Sequence, residues 1–90
     1  MEVSFSEQFK KTFKKKVIKN ELSKMEFQQV LELFISDPFD AKLKTHKLSG
    51  KLKGLWSFSV EFDIRVVFYF TKDHPPKAVF IDIGSHDEVY

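Results

Sequence analysis

Phe5, Phe9, Phe13 and Val17 recur every four residues, with Lys10, Lys11, Lys14 and Lys15 filling positions between them. A spacing of four returns side chains to one helix face, so this segment predicts an amphipathic helix with an apolar stripe and a lysine-rich back. Ahead of it, Glu2 to Phe5 reads as a short strand, and either Ser6 or Ser4-x-x-Glu7 supplies the cap. The pattern breaks at Lys19-Asn20. A second helix opens at Ser23-x-x-Glu26, a capping-box sequence, and carries Phe27, Val30, Leu31, Phe34 and Ile35 on one stripe. Asp37-Pro38 closes it, because the residue before a proline avoids the helical region. A linker runs from Phe39 to about Lys51, punctuated by Ser49-Gly50.

From Trp56 onward the period changes to two. Trp56, Phe58, Val60 and Phe62 alternate with Ser57, Ser59 and Glu61; Ile64, Val66, Phe68 and Phe70 alternate with Arg65, Val67 and Tyr69. After the turn Asp73-His74-Pro75-Pro76, Val79, Ile81 and Ile83 alternate with Phe80, Asp82, Gly84 and His86. These are three strands joined by hairpins. The order β-α-α-β-β-β predicts an α+β domain spanning residues 1–90, two N-terminal helices packed on a four-stranded antiparallel sheet. The core face is expected to hold Trp56, Phe58, Val60, Ile64, Val66, Phe68, Phe70, Val79, Ile81 and Ile83.

Register then decides which polar side chains meet on the other face, since a one-residue slip turns every side chain over. Pairing Lys72 with Lys77 puts Tyr69 opposite Phe80, Val67 opposite Asp82 and Arg65 opposite Gly84. His86 falls on the diagonal from Arg65, about 7–8 Å away. An odd loop at Glu61-Phe62-Asp63, or a bulge, sets Ser59 opposite Arg65. The open face then carries Ser57, Ser59, Arg65, Tyr69, Asp82 and His86, with Lys51 and Lys53 approaching from the start of the second strand. Gly84 leaves room there for a ligand to approach the backbone. Arginine offers a planar fork of donors for phosphate oxygens, and histidine exchanges protons near neutral pH.

Charge sharpens this reading. The net charge is only +2, but seven lysines and a single acid, Glu21, lie between Lys10 and Lys24, and five lysines with His46 and no acid lie between Lys42 and Lys53. Two basic segments in 90 residues point to a polyanion or an acidic protein as partner. Eleven phenylalanines let a small core bury much area. The absence of cysteine excludes disulfides and thiolate metal sites and fits a reducing compartment. The first residues lack a basic stretch followed by an apolar run, and no apolar run reaches a membrane span. A cytoplasmic protein with no membrane association and no cofactor or metal is expected.

His46-Lys47-Leu48-Ser49-Gly50, Leu52-Lys53-Gly54-Leu55-Trp56-Ser57, Asp63-Ile64-Arg65-Val66-Val67-Phe68-Tyr69 and Gly84-Ser85-His86-Asp87-Glu88-Val89-Tyr90 follow one another in an order and spacing that resembles the RelE/ParE superfamily of toxin–antitoxin modules, most closely its YafQ, YoeB and RelE branches. The opening, Val3-Ser4-Phe5-Ser6 before a lysine-rich helix, fits the same family, so the resemblance covers nearly the whole chain. It implies a RelE-like fold and a toxin that cleaves mRNA, typically in the ribosomal A site. It also implies a cognate antitoxin that silences the toxin, and through which the complex binds operator DNA.

Carried over by position, Arg65 would contact the scissile phosphate, His86 would serve in acid/base chemistry, and Tyr90 would orient or stack on the RNA. His46 matches the histidine of a His-x-Leu-x-Gly segment and Asp63 an aspartate before the arginine-bearing strand. The sequence departs from the pattern at Ser59, where YafQ-like members have a histidine, and at Asp82, where several members have an arginine.

The expected activity is therefore endoribonucleolytic transesterification from the 2′-OH. Arg65, Lys51 and Lys53 bind phosphate, His86 is the general acid, and His46 or Asp63 is the base. No Cys/His or clustered-carboxylate pattern marks a metal site, which favours a metal-free route. Two alternatives stay open: a ParE-like gyrase inhibitor, disfavoured by Gly84-Ser85-His86 followed by Tyr90, and a non-catalytic antitoxin-binding member, which Ser59 and Asp82 favour.

Overall fold

The computed structural model describes all residues, 1–90. The chain runs β1 (Val3–Phe5), α1 (Glu7–Ile18), α2 (Lys24–Ser36), β2 (His46–Lys47), β3 (Trp56–Glu61), β4 (Ile64–Phe70), β5 (Ala78–Gly84) and α3 (His86–Val89), with single 3-10 turns at Ala41–Leu43 and Gly50–Leu52. The α+β architecture read from the periodicities is present, and its two long helices start where their caps predict. Ser6 Oγ accepts from Phe9 N–H at 3.0 Å and Ser23 Oγ from Glu26 N–H at 3.2 Å.

The sheet has five strands in the order β1-β5-β4-β3-β2, rather than four, and is mixed rather than antiparallel. β2 is two residues long, too short to show a period in sequence. β1 lies parallel to β5, with Ser4 beside Val79. Hairpins force antiparallel pairing only on the strands they join, and no hairpin joins β1 to anything.

The three long strands pair antiparallel, and Ser59–Arg65, Arg65–Gly84 and Val67–Asp82 stand opposite one another as the register argument requires. Two bulges modify it. In β3 the pairing steps from Ser59–Arg65 to Glu61–Ile64, which absorbs Val60 and leaves Phe62-Asp63 as a two-residue turn. In β5 it steps from Val67–Asp82 to Phe68–Phe80. Ile81 is the extra residue, so Tyr69 faces Val79 and not Phe80.

A bulge flips the parity of everything beyond it. The core residues of β5 are consequently Ala78, Phe80 and Ile83, while Val79 and Ile81, expected inside, are only partly buried. Ser6 fastens the irregularity to the start of α1: its N–H donates to Phe80 O at 3.0 Å and its hydroxyl to Ile81 O at 3.2 Å.

The core lies between the helices and one sheet face. Phe34 of α2, fully buried, sits with its ring 4.8 Å from Phe58, 5.2 Å from Phe68 and 5.2 Å from Phe80. Phe9 and Phe13 of α1 and Phe27 of α2 continue this aromatic layer. Phe5 ends β1, as the strand reading has it, and its ring stacks on Phe9.

Truncating the ring at the centre leaves a cavity that three other phenylalanines border. Phe34→Ala is expected to lose about 3–5 kcal/mol of unfolding free energy. Chemical denaturation reads this as a lower midpoint at unchanged slope.

Candidate active site

The sheet face away from the helices is built in two rows. His46 of β2, Ser57 of β3, Val67 of β4 and Asp82 of β5 are successive cross-strand partners, and Ser59, Arg65 and Gly84 form the next row. Partners directly opposite project to the same face, so the topology brings His46, Ser57, Ser59 and Arg65 together.

Arg65 makes one side-chain hydrogen bond, Nη1 donating to Ser59 Oγ at 2.7 Å. Its Nε is buried with no acceptor in reach. No acid pairs with it: Glu61 accepts from Ser23 N–H at 3.4 Å, Asp82 from Ile83 N–H at 2.9 Å, and Asp63 makes no ion pair with it. On its outer side Arg65 opens onto a cleft of about 540 Å³ lined by Lys42, Lys44, Ser59, Glu61, Phe62 and Asp63, among others.

His86 is not on a strand. β5 ends at Gly84, and Ser85 caps the short helix α3, its hydroxyl accepting from Glu88 N–H while Glu88 accepts from Ser85 N–H at 2.7 Å. The reason is local: Ser85-x-x-Glu88 is itself a capping box. The helix folds back onto β4 and β5. Gly84 therefore does not leave a ligand gap. A Cβ there would meet Glu88 Oε1 at 2.9 Å and Val89 Cγ1 at 3.2 Å, so the space is where α3 docks.

Docking carries Tyr90 over the sheet, where its hydroxyl donates to Oγ of the fully buried Ser57. The Tyr90 and His86 rings meet edge to face at 4.5 Å. His86 is exposed, with Nδ1 3.5 Å from Asp87 Oδ1. His46 is also exposed, and its Nδ1 lies 2.9 Å from Lys44 O. A carbonyl only accepts, so Nδ1 is the donor in this contact, which leaves Nε2 as the acceptor nitrogen of the neutral ring.

Of the residues singled out in sequence, the structure thus gathers His46, Arg65, His86 and Tyr90 around Ser57 and Ser59, with Asp63 on the cleft beside Arg65. Lys51 and Lys53 stand apart. They sit on the 3-10 turn before β3, and Lys53 lines a different cleft with Lys47, Trp56 and Phe70. Lys42 and Lys44 take their place beside Arg65; they belong to the same basic segment but were not distinguishable within it. Asp82, through its bond to Ile83 N–H, is not engaged with His86.

One charged pair anchors α3. Lys16 of α1 is buried and donates to Glu88 Oε1 at 2.7 Å, with Glu21 at 3.4 Å. Burial pushes the Lys16 ammonium down, but the hydrogen bonds and charges of Glu88 and Glu21 outweigh it and hold the group above its ordinary value. The hydrogen bond from Lys16, followed by that from Ser85 N–H, holds the Glu88 carboxyl down at about 2.

The crystal structure of YafQ from Escherichia coli strain BL21(DE3) superposes with a TM-score of 0.80 at 23% identity, over 99% of this chain and 97% of that one. YafQ in the E. coli DinJ–YafQ toxin–antitoxin complex gives 0.77 at 23% identity, over 99% and 96%. A YoeB/ParE toxin from Agrobacterium tumefaciens gives 0.76 at 15% identity, over 96% and 99%. At these identities the likeness is one of fold. Among curated proteins, none matches the sequence. The family model described as "Bacterial toxin of type II toxin-antitoxin system, YafQ" matches residues 1–90, and the chain belongs to this YafQ toxin family.

A depressed carboxyl pKa gives stability that is whole above the unfolded value, 4.5 for Glu88, and that fades as pH falls toward about 2. Lys16 stays charged throughout that range. Tyr90 ring resonances are therefore expected to keep their docked positions at neutral pH and lose them between about pH 4.5 and 2. Signals unchanged across this window contradict the anchoring.

Proposed function

We propose that this type II toxin is a metal-independent mRNA endoribonuclease acting on mRNA held in the ribosomal A site. The observation that carries the reading is Arg65. It has no carboxylate partner, keeps a buried unpaired Nε–H, and shares its cleft with Lys42 and Lys44. An unpaired buried donor costs about 1–3 kcal/mol, which a purely structural arginine has no reason to retain. A phosphate diester is a tetrahedral anion whose two non-bridging oxygens fit the planar fork of such a guanidinium.

In the proposed reaction His46 Nε2 takes the proton of the 2′-OH, whose oxygen bonds to the adjacent phosphorus. Arg65 stabilises the charge gathering on the phosphate oxygens. The bond from phosphorus to the 5′ oxygen breaks, and His86 Nε2 gives that oxygen a proton. Products are a 2′,3′-cyclic phosphate and a 5′-hydroxyl. The assigned tautomer of His46 favours it as base over Asp63, whose carboxylate sits by the hairpin turn and suits orientation of RNA in the cleft. Tyr90, beside His86, offers a ring edge to a base. Lys51 and Lys53 extend the positive surface toward neighbouring phosphates.

The partner is a cognate antitoxin, an acidic or amphipathic segment suited to the lysine-rich face of α1 and the sheet edge, and through it the complex would bind operator DNA. No helix is long and apolar enough to cross a membrane, and the cytoplasm, where ribosomes are, is the proposed setting.

Induction of the protein without antitoxin, with mRNA 5′ ends mapped, tests the reading. Cuts in phase with codons are expected. Unaffected growth favours the non-catalytic alternative, and lost DNA supercoiling with intact mRNA favours gyrase inhibition. In purified translating ribosomes His86→Ala is expected to cut about 10²–10⁴-fold more slowly while remaining folded. An undiminished rate removes His86 from the mechanism.

A further inference from the structure

α3 has four residues, far too few to hold a helix alone, yet it carries His86 and precedes Tyr90. Its N-terminal cap and its tether converge on a single atom. Glu88 Oε1 accepts from Ser85 N–H at 2.7 Å, closing the capping box, and from Lys16 Nζ at 2.7 Å. Lys16 lies 72 residues earlier, near the end of α1, and is the one buried residue of the chain with a charged side chain. Gly84 admits the carboxylate, since a side chain there would collide with this same oxygen.

We propose that Lys16 and Glu88 are positioning residues of the active site: their ion pair locks α3 against α1, so that His86 and Tyr90 are held over the Arg65 face. The inference rests on the nuclease reading for its kinetic consequence, but not for its structural one.

Stability alone does not account for a buried ammonium here. Apolar residues of similar volume commonly replace buried ion pairs without loss of stability, because both charges otherwise have to be stripped of water. What an apolar residue at position 16 does not supply is a fixed direction. The lysine specifies where Oε1 sits, and Oε1 specifies the first turn of α3, the turn that carries His86. Glu88 is half-exposed, so on losing Lys16 it hydrates rather than forcing the fold apart. The second tether, Tyr90 to Ser57, holds the far end of the segment, whereas the Lys16–Glu88 pair holds the turn that carries His86.

The test compares Lys16→Met, Lys16→Arg and Glu88→Gln with the wild type in single-turnover cleavage on ribosomes, and by nuclear Overhauser contacts between the His86 and Tyr90 rings. Lys16→Met is expected to unfold within a few degrees of the wild type while kcat falls about 10- to 100-fold at nearly constant KM, the signature of misplaced reacting groups. Lys16→Arg, which keeps the cation, is expected to restore kcat to within about threefold. Glu88→Gln keeps an acceptor for Ser85 and loses the charge, and is expected to follow Lys16→Met. In both impaired variants the ring contacts weaken.

Wild-type kcat in Lys16→Met, or a raised KM with kcat intact, overturns the proposal. Should the wild type itself fail to cut RNA, the nuclease reading falls, and the ring contacts decide the brace alone: lost in Lys16→Met they support it, retained they overturn it.

Discussion

Phe34 of α2, closed in by Phe58, Phe68 and Phe80, is the contact on which the rest of the molecule depends. Each of those three rings comes from a different strand, so burying them together fixes the mutual register of β3, β4 and β5. Strand side chains alternate, and whatever is next to a buried ring must face the other way. Ser57 and Ser59 flank Phe58, and Val67 precedes Phe68. The composition of the open face follows from the packing of the closed one. A slip of one residue to relieve the core would drive the Arg65 guanidinium into it.

The bulge at Ile81 shows how this constraint is reconciled with the site. Without the extra residue Phe80 and Ile83 would fall on opposite faces; with it both are buried, and Gly84 arrives opposite Arg65. The chain then turns at Ser85 and returns across the face as α3. Core geometry alone would end the sheet in a flat polar surface. The returning helix, pinned by Lys16 at one end and by Ser57 at the other, sets His86 and Tyr90 on the face that also carries His46 and Arg65.

Much of this is legible in the residues. Helix caps, hairpin order and the juxtapositions Ser59–Arg65–Gly84 and Val67–Asp82 follow from period-two alternation. What escapes is whatever breaks a period. The bulge at Ile81 cannot be told from regular alternation, because Val79, Phe80, Ile81 and Ile83 are all apolar and either parity reads as a plausible core. The two-residue strand at His46-Lys47 has no period at all. The direction of β1 is free because no hairpin constrains it. α3 was signalled by Ser85-x-x-Glu88, but the strand pattern running through His86 competes with that signal. Lys16 is invisible within a run of lysines; only the fold reveals that one of them faces inward. Lys42 and Lys44 differ from Lys51 and Lys53 by the path of a linker, not by anything in composition.

In the proposed reaction the RNA is cut by its own 2′-hydroxyl, with no water attacking phosphorus. The chemical nature of the cut ends tests that most directly. Translating ribosomes exposed to the purified protein should yield fragments ending in a 2′,3′-cyclic phosphate and beginning with a 5′-hydroxyl, and an mRNA bearing a 2′-O-methyl group at the cut site should survive intact. Fragments with a 3′-hydroxyl and a 5′-phosphate, or undiminished cutting at the methylated position, would contradict it.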